Sequence, residues 1–353
     1  MPGDGAASPN SSFAGAKAEP ATTLDAAQIV RSLADFRTPS WVRSWVELAI
    51  TVLPFLVVLA VTLFAVSAGY YIALLLTPLA GLFLLRTFII QHDCGHGSFM
   101  PGKRHNDWVG RAMGVLTLTP YDCWRQSHSM HHAGTGNLDK RGWGDVDTLT
   151  VREFRALSPL GRFGYRLYRH PLVLLGVGPA YLFLIRHRLP IGLMKAGWIY
   201  WISAMATNAA TAGLVVLVAW QFGIATTALV FLPTLLVAAT IGVWLFYIQH
   251  QFEDTHWDQK SEWSFKDAAL LGSSYLDLPH PLRWFTANIG IHHIHHLMSR
   301  IPYYRLKAAL NAHPELENVN RITALQSIRP FVLTLWDEDQ RKMVRFRDLK
   351  ALG

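Results

Sequence analysis

Four long apolar segments constrain the fold of this chain more than any other feature of its sequence. They cover about residues 45–67, 70–91, 197–220 and 224–249. Each reaches the roughly 20 residues that an α-helix needs to cross the core of a bilayer. Only Ala68-Gly69 separates the first two segments, and only Gln221-Phe222-Gly223 separates the last two. The sequence therefore predicts two tight membrane-spanning hairpins.

The composition agrees with a polytopic membrane protein. Of the 353 residues, 51% are hydrophobic and only 16% are charged, whereas an average soluble domain has about 25% charged residues. The mean hydropathy is +0.21 and the pI is near 9.6. The net charge of +8 is typical of nucleic-acid-binding proteins, but basic residues on the cytoplasmic face of a membrane protein explain it more simply. We predict an all-α integral membrane fold and no nucleic-acid partner.

The basic residues also predict the orientation of the chain. No Lys or Arg occurs between Arg43 and Arg86, or between Lys195 and Lys260. Both hairpin tips therefore lack positive charge, whereas the connections on the other side carry it. By the positive-inside rule, we expect both termini and the long connections in the cytoplasm, in a bacterial-type inner membrane.

The segments outside the hairpins are assigned by composition. Residues 1–25 are rich in Ala, Ser, Gly and Pro without an apolar run, so we predict a disordered tail and no cleaved signal peptide. Residues 26–310 are expected to form one membrane domain, and residues 311–353 a cytoplasmic C-terminal segment. The apolar run 171–185 would span only about 22 Å as a helix. Because a fifth span would separate the histidine motifs, we interpret this run as interfacial or re-entrant.

Nine of the sixteen histidines form motifs that share one predicted membrane face. The motifs are His92-Asp-Cys-Gly-His96, His128-Ser-Met-His131-His132 and His292-His-Ile-His295-His296, joined by His250 at the end of the fourth span. Spacings of three and four residues place side chains on one face of a helix. We therefore expect a cytoplasmic helical cap that carries the histidines. A packed face of imidazoles predicts a metal site, because each buried and unpaired ring nitrogen costs about 1–3 kcal/mol.

The number of histidines predicts more than one ion. The chain has two cysteines, Cys94 and Cys123, so we predict no disulfide framework and no cysteine-based metal site. Nine imidazoles exceed the four ligands of tetrahedral zinc, whereas two ions with four or five ligands each would use them all. Imidazole binds Zn, Cu, Fe and Ni alike, so the ligands do not name the metal. A metal pair at the end of an apolar bundle favours O2-dependent oxidation of an unreactive C–H bond.

The remaining histidines are not predicted to bind metal. The isolated ones are expected at the surface or in structural roles: His105, His170, His187, His280 and His313. His293 points away from the face shared by its neighbours, so we expect it to support a ligand or the fold.

The three motifs resemble the histidine boxes of the membrane fatty acid desaturases, a di-iron family. The likeness extends to Trp124-Arg-Gln-Ser-His128, to His132-Ala-Gly-Thr-Gly-Asn-Leu138 and to His296-Leu-Met-Ser-Arg-Ile-Pro-Tyr-Tyr304. These segments are similar to ω-6 and ω-3 (Δ12/Δ15-type) acyl-lipid desaturases, and the resemblance covers about residues 40–310. The acyl-CoA Δ9 branch is less similar, because its first box typically carries His-Arg and ends in a double His.

The resemblance implies two irons held by the boxes and by a histidine at the end of the fourth span, here His250. It implies that O2 and two electrons convert adjacent methylenes of a fatty acyl lipid into a cis double bond, with water as the other product. In the acyl-CoA branch an Asn one turn before this histidine contributes through water, but Phe246 stands at that position here. Glu253 and Asp254 are candidates to support the site, or are simply solvated residues at the helix end.

The electrons are expected to come from a separate carrier. The sequence contains no His-Pro-Gly-Gly cytochrome b5 signature and no ferredoxin-type cysteine cluster. A basic surface that includes Lys103, Arg104, Lys140 and Arg141 would suit an acidic ferredoxin or cytochrome b5-like partner.

Three other functions remain open at this point. A carotenoid ketolase or hydroxylase has a similar first box, although the chain length, the four spans and the segment after His132 favour a desaturase. A fatty-acyl hydroxylase, epoxygenase or acetylenase would use nearly the same boxes. A divalent-metal transporter would place its ligands near the middle of the bilayer, whereas these histidines cluster at one surface.

Overall fold

The computed structural model describes residues 26–143 and 146–351, so the predicted disordered tail, residues 1–25, lies outside the described residues. In chain order, the α-helices of the described residues are α1 (Ala26–Leu33), α2 (Trp41–Ser67), α3 (Thr77–His96), α4 (Lys103–Leu116), α5 (Tyr121–Gly134), α6 (Val151–Ala156), α7 (Pro159–Tyr168), α8 (Gly178–Leu184), α9 (Trp198–Phe222), α10 (Ile224–His250), α11 (Phe265–Leu271), α12 (His280–Phe285), α13 (His292–Leu297) and α14 (Tyr303–Ala312). The strands are β1 (Tyr275–Asp277), β2 (Arg321–Thr323), β3 (Leu335–Asp337) and β4 (Lys342–Val344).

Within the described part of the chain, four helices are long and apolar enough to cross a membrane, as the sequence predicts. They are α2, α9, α10 and the segment Tyr71–His96, in which a short 3-10 helix leads directly into α3. Helix α2 begins earlier than predicted, and α3 continues further, through the whole first histidine motif. The predicted all-α integral membrane fold with four spans is confirmed.

The side chains of α2 show which face of the span meets the other helices. Ser44, Leu48, Phe55 and Leu59 are buried and recur at helical spacing. On the opposite face large apolar side chains are exposed, including Val57 at 60%. An exposed apolar face along a whole helix fits a lipid environment rather than water.

Helix α3 lies at the centre of the bundle and packs against α2, α4 and α10. Gly81 permits the close approach to α10, since a Cβ at this position would lie 2.7 Å from Cγ1 of Val237. At the hairpin tips, the rings of Phe64 and Phe222 meet edge to face at 4.9 Å. Both hairpins therefore open toward the same end, where α3 ends at His96 and α10 ends at His250.

A buried ion pair joins the first two spans. Glu47 on α2 pairs with Arg86 on α3, and both side chains are 2% exposed. Arg86 Nε also donates to Thr51 Oγ1 at 3.0 Å, and its guanidinium lies 4.1 Å from the ring centroid of Trp284. The hydroxyl of Tyr303 donates to Glu47 Oε2 at 3.0 Å. Because charges within a membrane segment require partners, this pair fixes α2, α3, α12 and α14 relative to one another.

The connections at the open end form a cap over the bundle. In the C-terminal segment β2 pairs in parallel with β1, and β3 pairs with β4 in an antiparallel hairpin. The buried Arg169 guanidinium connects this segment to the bundle: it donates to Tyr247 Oη at 2.8 Å, to Leu333 O at 3.0 Å and to Thr148 Oγ1 at 2.7 Å. The C-terminal segment therefore packs directly on the end of α10.

The segment that the sequence predicts to be interfacial contains short helical pieces rather than one rod. A π-helical turn over Val173–Val177 leads into α8, and a 3-10 turn over Arg186–Arg188 follows. Helix α7 and the segment Val173–Arg188 meet at a bend of 58°, so only together, as one broken span, would they cross a membrane. The interfacial or re-entrant position of residues 171–185 stays a prediction.

Candidate metal centre

Four helices bring the nine predicted histidines to one place. The histidines lie in the last turns of α3 and α10, in the second half of α5, and in α13. The histidines form two groups, in each of which one ring nitrogen per residue lies within 4.8 Å of the others. The first group is His92, His96, His128, His132 and His295, and the second is His131, His250, His292 and His296.

The helical repeat explains how one motif serves both groups. Successive residues of an α-helix are about 100° apart, so positions i and i+4 differ by about 40°, whereas position i+3 lies about 60° to the other side. On α5, His128 and His132 therefore belong to the first group and His131 to the second. On α13 the assignment is reversed, with His295 alone in the first group.

The ring nitrogens are spaced as ligands of a common ion would be. The Nε2 to Nε2 distances are 3.0 Å for His96–His128, 3.1 Å for His128–His132, 3.2 Å for His132–His295, 3.2 Å for His131–His250 and 3.0 Å for His250–His292. Ligands about 2.1 Å from an ion lie about 3.0 Å apart at right angles and about 3.4 Å apart in a tetrahedron. The spacing is therefore compatible with histidines that share an ion within each group.

The two groups touch each other. The rings of His132 and His296, which belong to different groups, stack with a centroid distance of 4.0 Å and an angle of 12°. The rings of His128 and His131 stack at 5.6 Å. Two ions held by these groups would be neighbours able to act on one small molecule.

Burial favours the neutral form of five of these imidazoles. Desolvation lowers the pKa of the cap histidines far below the usual range, and repulsion between the rings adds to the effect; this holds for His128, His132, His292, His295 and His296. A neutral imidazole is the form that binds a metal ion. Nδ1 of His292, Nδ1 of His295 and Nε2 of His296 have no hydrogen-bond partner among the described residues. The donor set therefore fits a pair of divalent metals.

Residues outside the histidine set orient two of the rings. Nδ1 of His92 lies 3.0 Å from Oδ1 of Asp93, whose Oδ2 accepts the Tyr303 N–H at 2.6 Å. Nδ1 of His250 lies 3.2 Å from the Gly272 carbonyl oxygen. When Nδ1 donates to these acceptors, Nε2 carries no proton and can present its lone pair to a metal ion. The sequence analysis missed the role of Asp93, although its place beside His92 in the first motif was a usable signal.

Aromatic rings line the centre on the side toward the bundle. Trp124 stacks on His128 with a centroid distance of 4.5 Å. The ring of Phe246 packs against His131 at 5.0 Å and against His250 at 5.6 Å, so this position supplies an apolar wall. The side chains of Glu253 and Asp254 are exposed and belong to neither histidine group. Of the two roles considered for these acids, the structure favours solvated residues.

The other histidines lie outside both groups. His105, His170 and His280 are exposed, and the buried His313 contacts Ser32 and Glu315. Nε2 of His293 lies 3.1 Å from the Leu316 carbonyl oxygen, which supports a structural role. His256, left unassigned by the sequence, pairs with Asp258 at 2.6 Å.

A cavity of about 360 Å³ extends from the centre into the bundle. It lies among α3, α5, α10 and the segment 182–193, and His92, His128 and His131 are part of its wall. Apolar side chains form most of the remaining wall, including Leu84, Phe88, Leu235, Ala238 and Phe246. This shape allows an apolar chain to reach both histidine groups.

Comparison with known proteins agrees with this geometry. The family model described as fatty acid desaturase matches residues 69–321. The chain is 42% identical over 325 residues to a fatty acid desaturase of Bacillus subtilis (strain 168), covering 92% of each protein. It is 30% identical over 239 residues to the sn-1 acyl-lipid omega-3 desaturase (ferredoxin) of Synechocystis sp. (strain ATCC 27184 / PCC 6803 / Kazusa), covering 64% of this chain and 62% of the relative.

A third relative is the sn-1 oleoyl-lipid 12-desaturase of Anabaena variabilis, 26% identical over 265 residues, which are 67% of this chain and 68% of the relative. The predicted resemblance is thus confirmed over most of the chain, the four spans and the histidine clusters. The chain belongs to the fatty acid desaturase family and is an integral membrane fatty acid desaturase.

Proposed function

We propose that the nine histidines hold two irons and that the enzyme inserts a cis double bond of the Δ12/ω-6 type into the acyl chain of a membrane lipid. The observation that carries the proposal is the convergence of nine imidazoles into two touching groups at the end of an apolar cavity. Iron is preferred over other imidazole-binding metals because of the resemblance to the di-iron desaturases. The acyl-lipid substrate and the Δ12 position are supported by the names of the cyanobacterial relatives.

The irons, when bound, supply an oxidation in which O2, two electrons, two protons and two hydrogens of adjacent methylenes give a double bond and two waters. The protein residues position the chain and keep water away. Phe88 and Phe246 belong to the apolar wall that holds the chain. His92 and His128 of the first group and His131 of the second line the same cavity. A chain in the cavity would therefore pass beside both groups at once.

We also propose that the open end of the bundle faces the cytoplasm and that a separate carrier delivers the electrons there. The absence of positive charge at both hairpin tips supports the orientation. The name of the Synechocystis relative supports a ferredoxin-type carrier. Arg141 bonds to Glu153 at 2.6 Å and Lys103 to Asp107 at 2.6 Å, which leaves Arg104 and Lys140 as the better candidates of the basic surface. Carrier-driven turnover should slow as salt is added, and salt-independent kinetics would contradict docking by charge.

The central test is expression of the full chain in a host without polyunsaturated lipids, followed by mass spectrometry of its fatty acids. We expect a new diene with a Δ12 bond, two irons per chain in the purified protein, and loss of both in His131→Ala or His296→Ala. The exposed His280 provides a matched control, because His280→Ala removes an imidazole outside both groups. Iron and new double bonds that survive in His131→Ala would refute the site.

The position of the bond is a separate result. A double bond elsewhere in the chain would refute the Δ12 assignment and leave the desaturase activity intact. Hydroxylated chains would instead favour a fatty-acyl hydroxylase, and altered pigments a carotenoid enzyme.

A further inference from the structure

The rim of the cavity is a basic turn within an apolar segment. Arg186, His187 and the loop over residues 189–193 contribute to the cavity wall. Between residues 171 and 200 the cationic residues are Arg186, Arg188 and Lys195, and the segment contains no Asp or Glu. The rim therefore carries positive charge that its own segment does not neutralise.

Hydrogen bonds hold this turn in place. The guanidinium of Arg188 donates to Asn208 Oδ1 at 2.8 Å, and it also bonds to the carbonyl oxygens of Leu118 and Phe183. The amide of Asn208 donates back to the Arg188 carbonyl at 2.8 Å. The Arg188 side chain thus fixes the turn to α9, and the residues beside it are held against the cavity.

The side chains of the two residues before Arg188 take no part in these hydrogen bonds. Nδ1 of His187 is buried and has no hydrogen-bond partner among the described residues. Its ring meets Phe183 edge to face at 5.1 Å, and the residue is part of the cavity wall. Arg186 lines the same cavity, is exposed, and forms no ion pair with the described residues. A cation and a polar ring are therefore available side by side where an otherwise apolar cavity ends.

The surroundings of the rim indicate where a ligand comes from. Ile185 is 61% exposed, and Leu184, Leu189 and Ile191 are exposed between 36% and 44%. Such a belt of apolar side chains next to arginines is typical of the boundary between the acyl chains and the phosphates of a bilayer. A chain that entered the cavity past this belt would come from the membrane without passing through water.

We propose that Arg186 and His187 bind the polar end of a membrane phosphoglyceride whose acyl chain occupies the cavity. Arg186 pairs with the phosphate, and a ring N–H of His187 donates to the ester carbonyl next to the chain. This inference rests on the proposed acyl-lipid function and deepens it by naming the substrate class.

This anchoring determines how the enzyme selects the bond. A row of ring contacts leads from the rim to the first histidine group: His187 to Phe183 at 5.1 Å, Phe183 to Phe88 at 6.3 Å, Phe88 to Trp124 at 5.4 Å and Trp124 to His128 at 4.5 Å. A fixed ester at one end and fixed histidines at the other set the number of carbons between them. The double bond is therefore counted from the carboxyl end of the chain.

The test compares His187→Phe and Arg186→Gln with matched controls in the full-length, iron-loaded enzyme. His187→Phe keeps an aromatic ring against Phe183, and Arg186→Gln removes the guanidinium and its charge but keeps a polar side chain. His170→Phe and Lys195→Gln are the controls, because both residues are exposed in or beside the same segment and neither lines the cavity. The substrates are phosphoglycerides in vesicles that carry monounsaturated chains of different length and double-bond position, and the readouts are the position of the new double bond, KM, kcat and iron content.

With the wild-type enzyme we expect the bond at a constant number of carbons from the carboxyl group for every chain length. In both variants we expect at least a tenfold rise in KM, a mixture of bond positions and unchanged iron content, whereas the controls behave as wild type. A bond at a constant distance from the methyl end, or variants with wild-type KM and position, would overturn the proposal. Should His187→Phe lose iron through misfolding, the exposed Arg186→Gln variant still decides the outcome.

Binding measurements separate this proposal from the proposed function. A dialkyl phosphoglyceride that retains the phosphate, added without the electron donor so that no turnover occurs, is the binding probe, and its binding should weaken at least tenfold in Arg186→Gln. If that loss occurs while no double bonds form, the lipid site stands and the desaturase function fails. If double bonds form equally well in wild type and variants, the function stands and the lipid site fails. Stronger competition from soluble acyl-CoA than from vesicle lipid would also overturn the membrane phosphoglyceride as the substrate.

Discussion

Asp93→Asn tests how far the proposed metal centre depends on a residue that orients one of its histidines and is not itself a ligand. Asp93 is 1% exposed, and its carboxylate serves two groups at once. Oδ1 lies 3.0 Å from His92 Nδ1, and Oδ2 accepts the Tyr303 N–H at 2.6 Å. An Asn side chain has the same shape but only one acceptor oxygen, so one of the two donors would face the amide NH2 instead.

The expected cost follows from these contacts. The shorter bond to Tyr303 is expected to keep the oxygen, so His92 loses its acceptor and its fixed orientation. A hydrogen bond to a charged group contributes about 1.5–3 kcal/mol, and about 1.4 kcal/mol corresponds to a tenfold change in affinity. We therefore expect metal binding to weaken by about 10–100-fold, in the range known for partners that orient metal-binding histidines. Only the first group contains His92, so only one of the two ions should be affected.

The assay is a titration of the metal-free protein with Fe2+ or Co2+ against a competing chelator. Wild type should fill two similar sites, and Asp93→Asn should show one wild-type site and one weakened site. Asp107→Asn is the matched control, since Asp107 pairs with Lys103 and Arg125 and contacts no histidine of either group. If both sites of Asp93→Asn keep wild-type affinity, or if Asp107→Asn weakens metal binding equally, the argument from the His92–Asp93 contact is wrong.

Three further predictions concern the site and the fold. His250→Ala should abolish turnover and lower the iron content, whereas His293→Ala should keep iron and lose only thermal stability, as measured by metal analysis and unfolding in detergent. Gly110→Ala should lower the free energy of unfolding by about 1–3 kcal/mol, because a Cβ there would overlap the ring of Tyr121. Arg169→Met should lower it by about 1–3 kcal/mol for each buried acceptor left unpaired, with little change in turnover per folded, iron-loaded molecule.

The sequence predicted the parts of the fold that depend on local properties. The four spans follow from apolar length, which is a property of each segment alone. The shared face of His128, His131 and His132 follows from helical spacing, and the structure brings these residues together with the other predicted histidines. The division into two groups could not be predicted, because it depends on how α13 is rotated relative to α5. That rotation is set by packing between segments more than 150 residues apart, for example between His132 and His295, at a separation of 163 residues.

The contacts that support the histidines could not be predicted from the sequence for the same reason. They connect the membrane helices to the histidine groups. Tyr303 donates its hydroxyl to Glu47, 256 residues away, and its backbone N–H to Asp93, 210 residues away. Glu47 is held in turn by Arg86 in the bundle. The carboxylate that orients His92 is therefore positioned by a residue fixed to a buried ion pair between two spans. Since a buried charge without its partner costs several kcal/mol, the bundle resists any shift of Tyr303. The geometry of the first histidine group is thus determined by the membrane helices as much as by the cap.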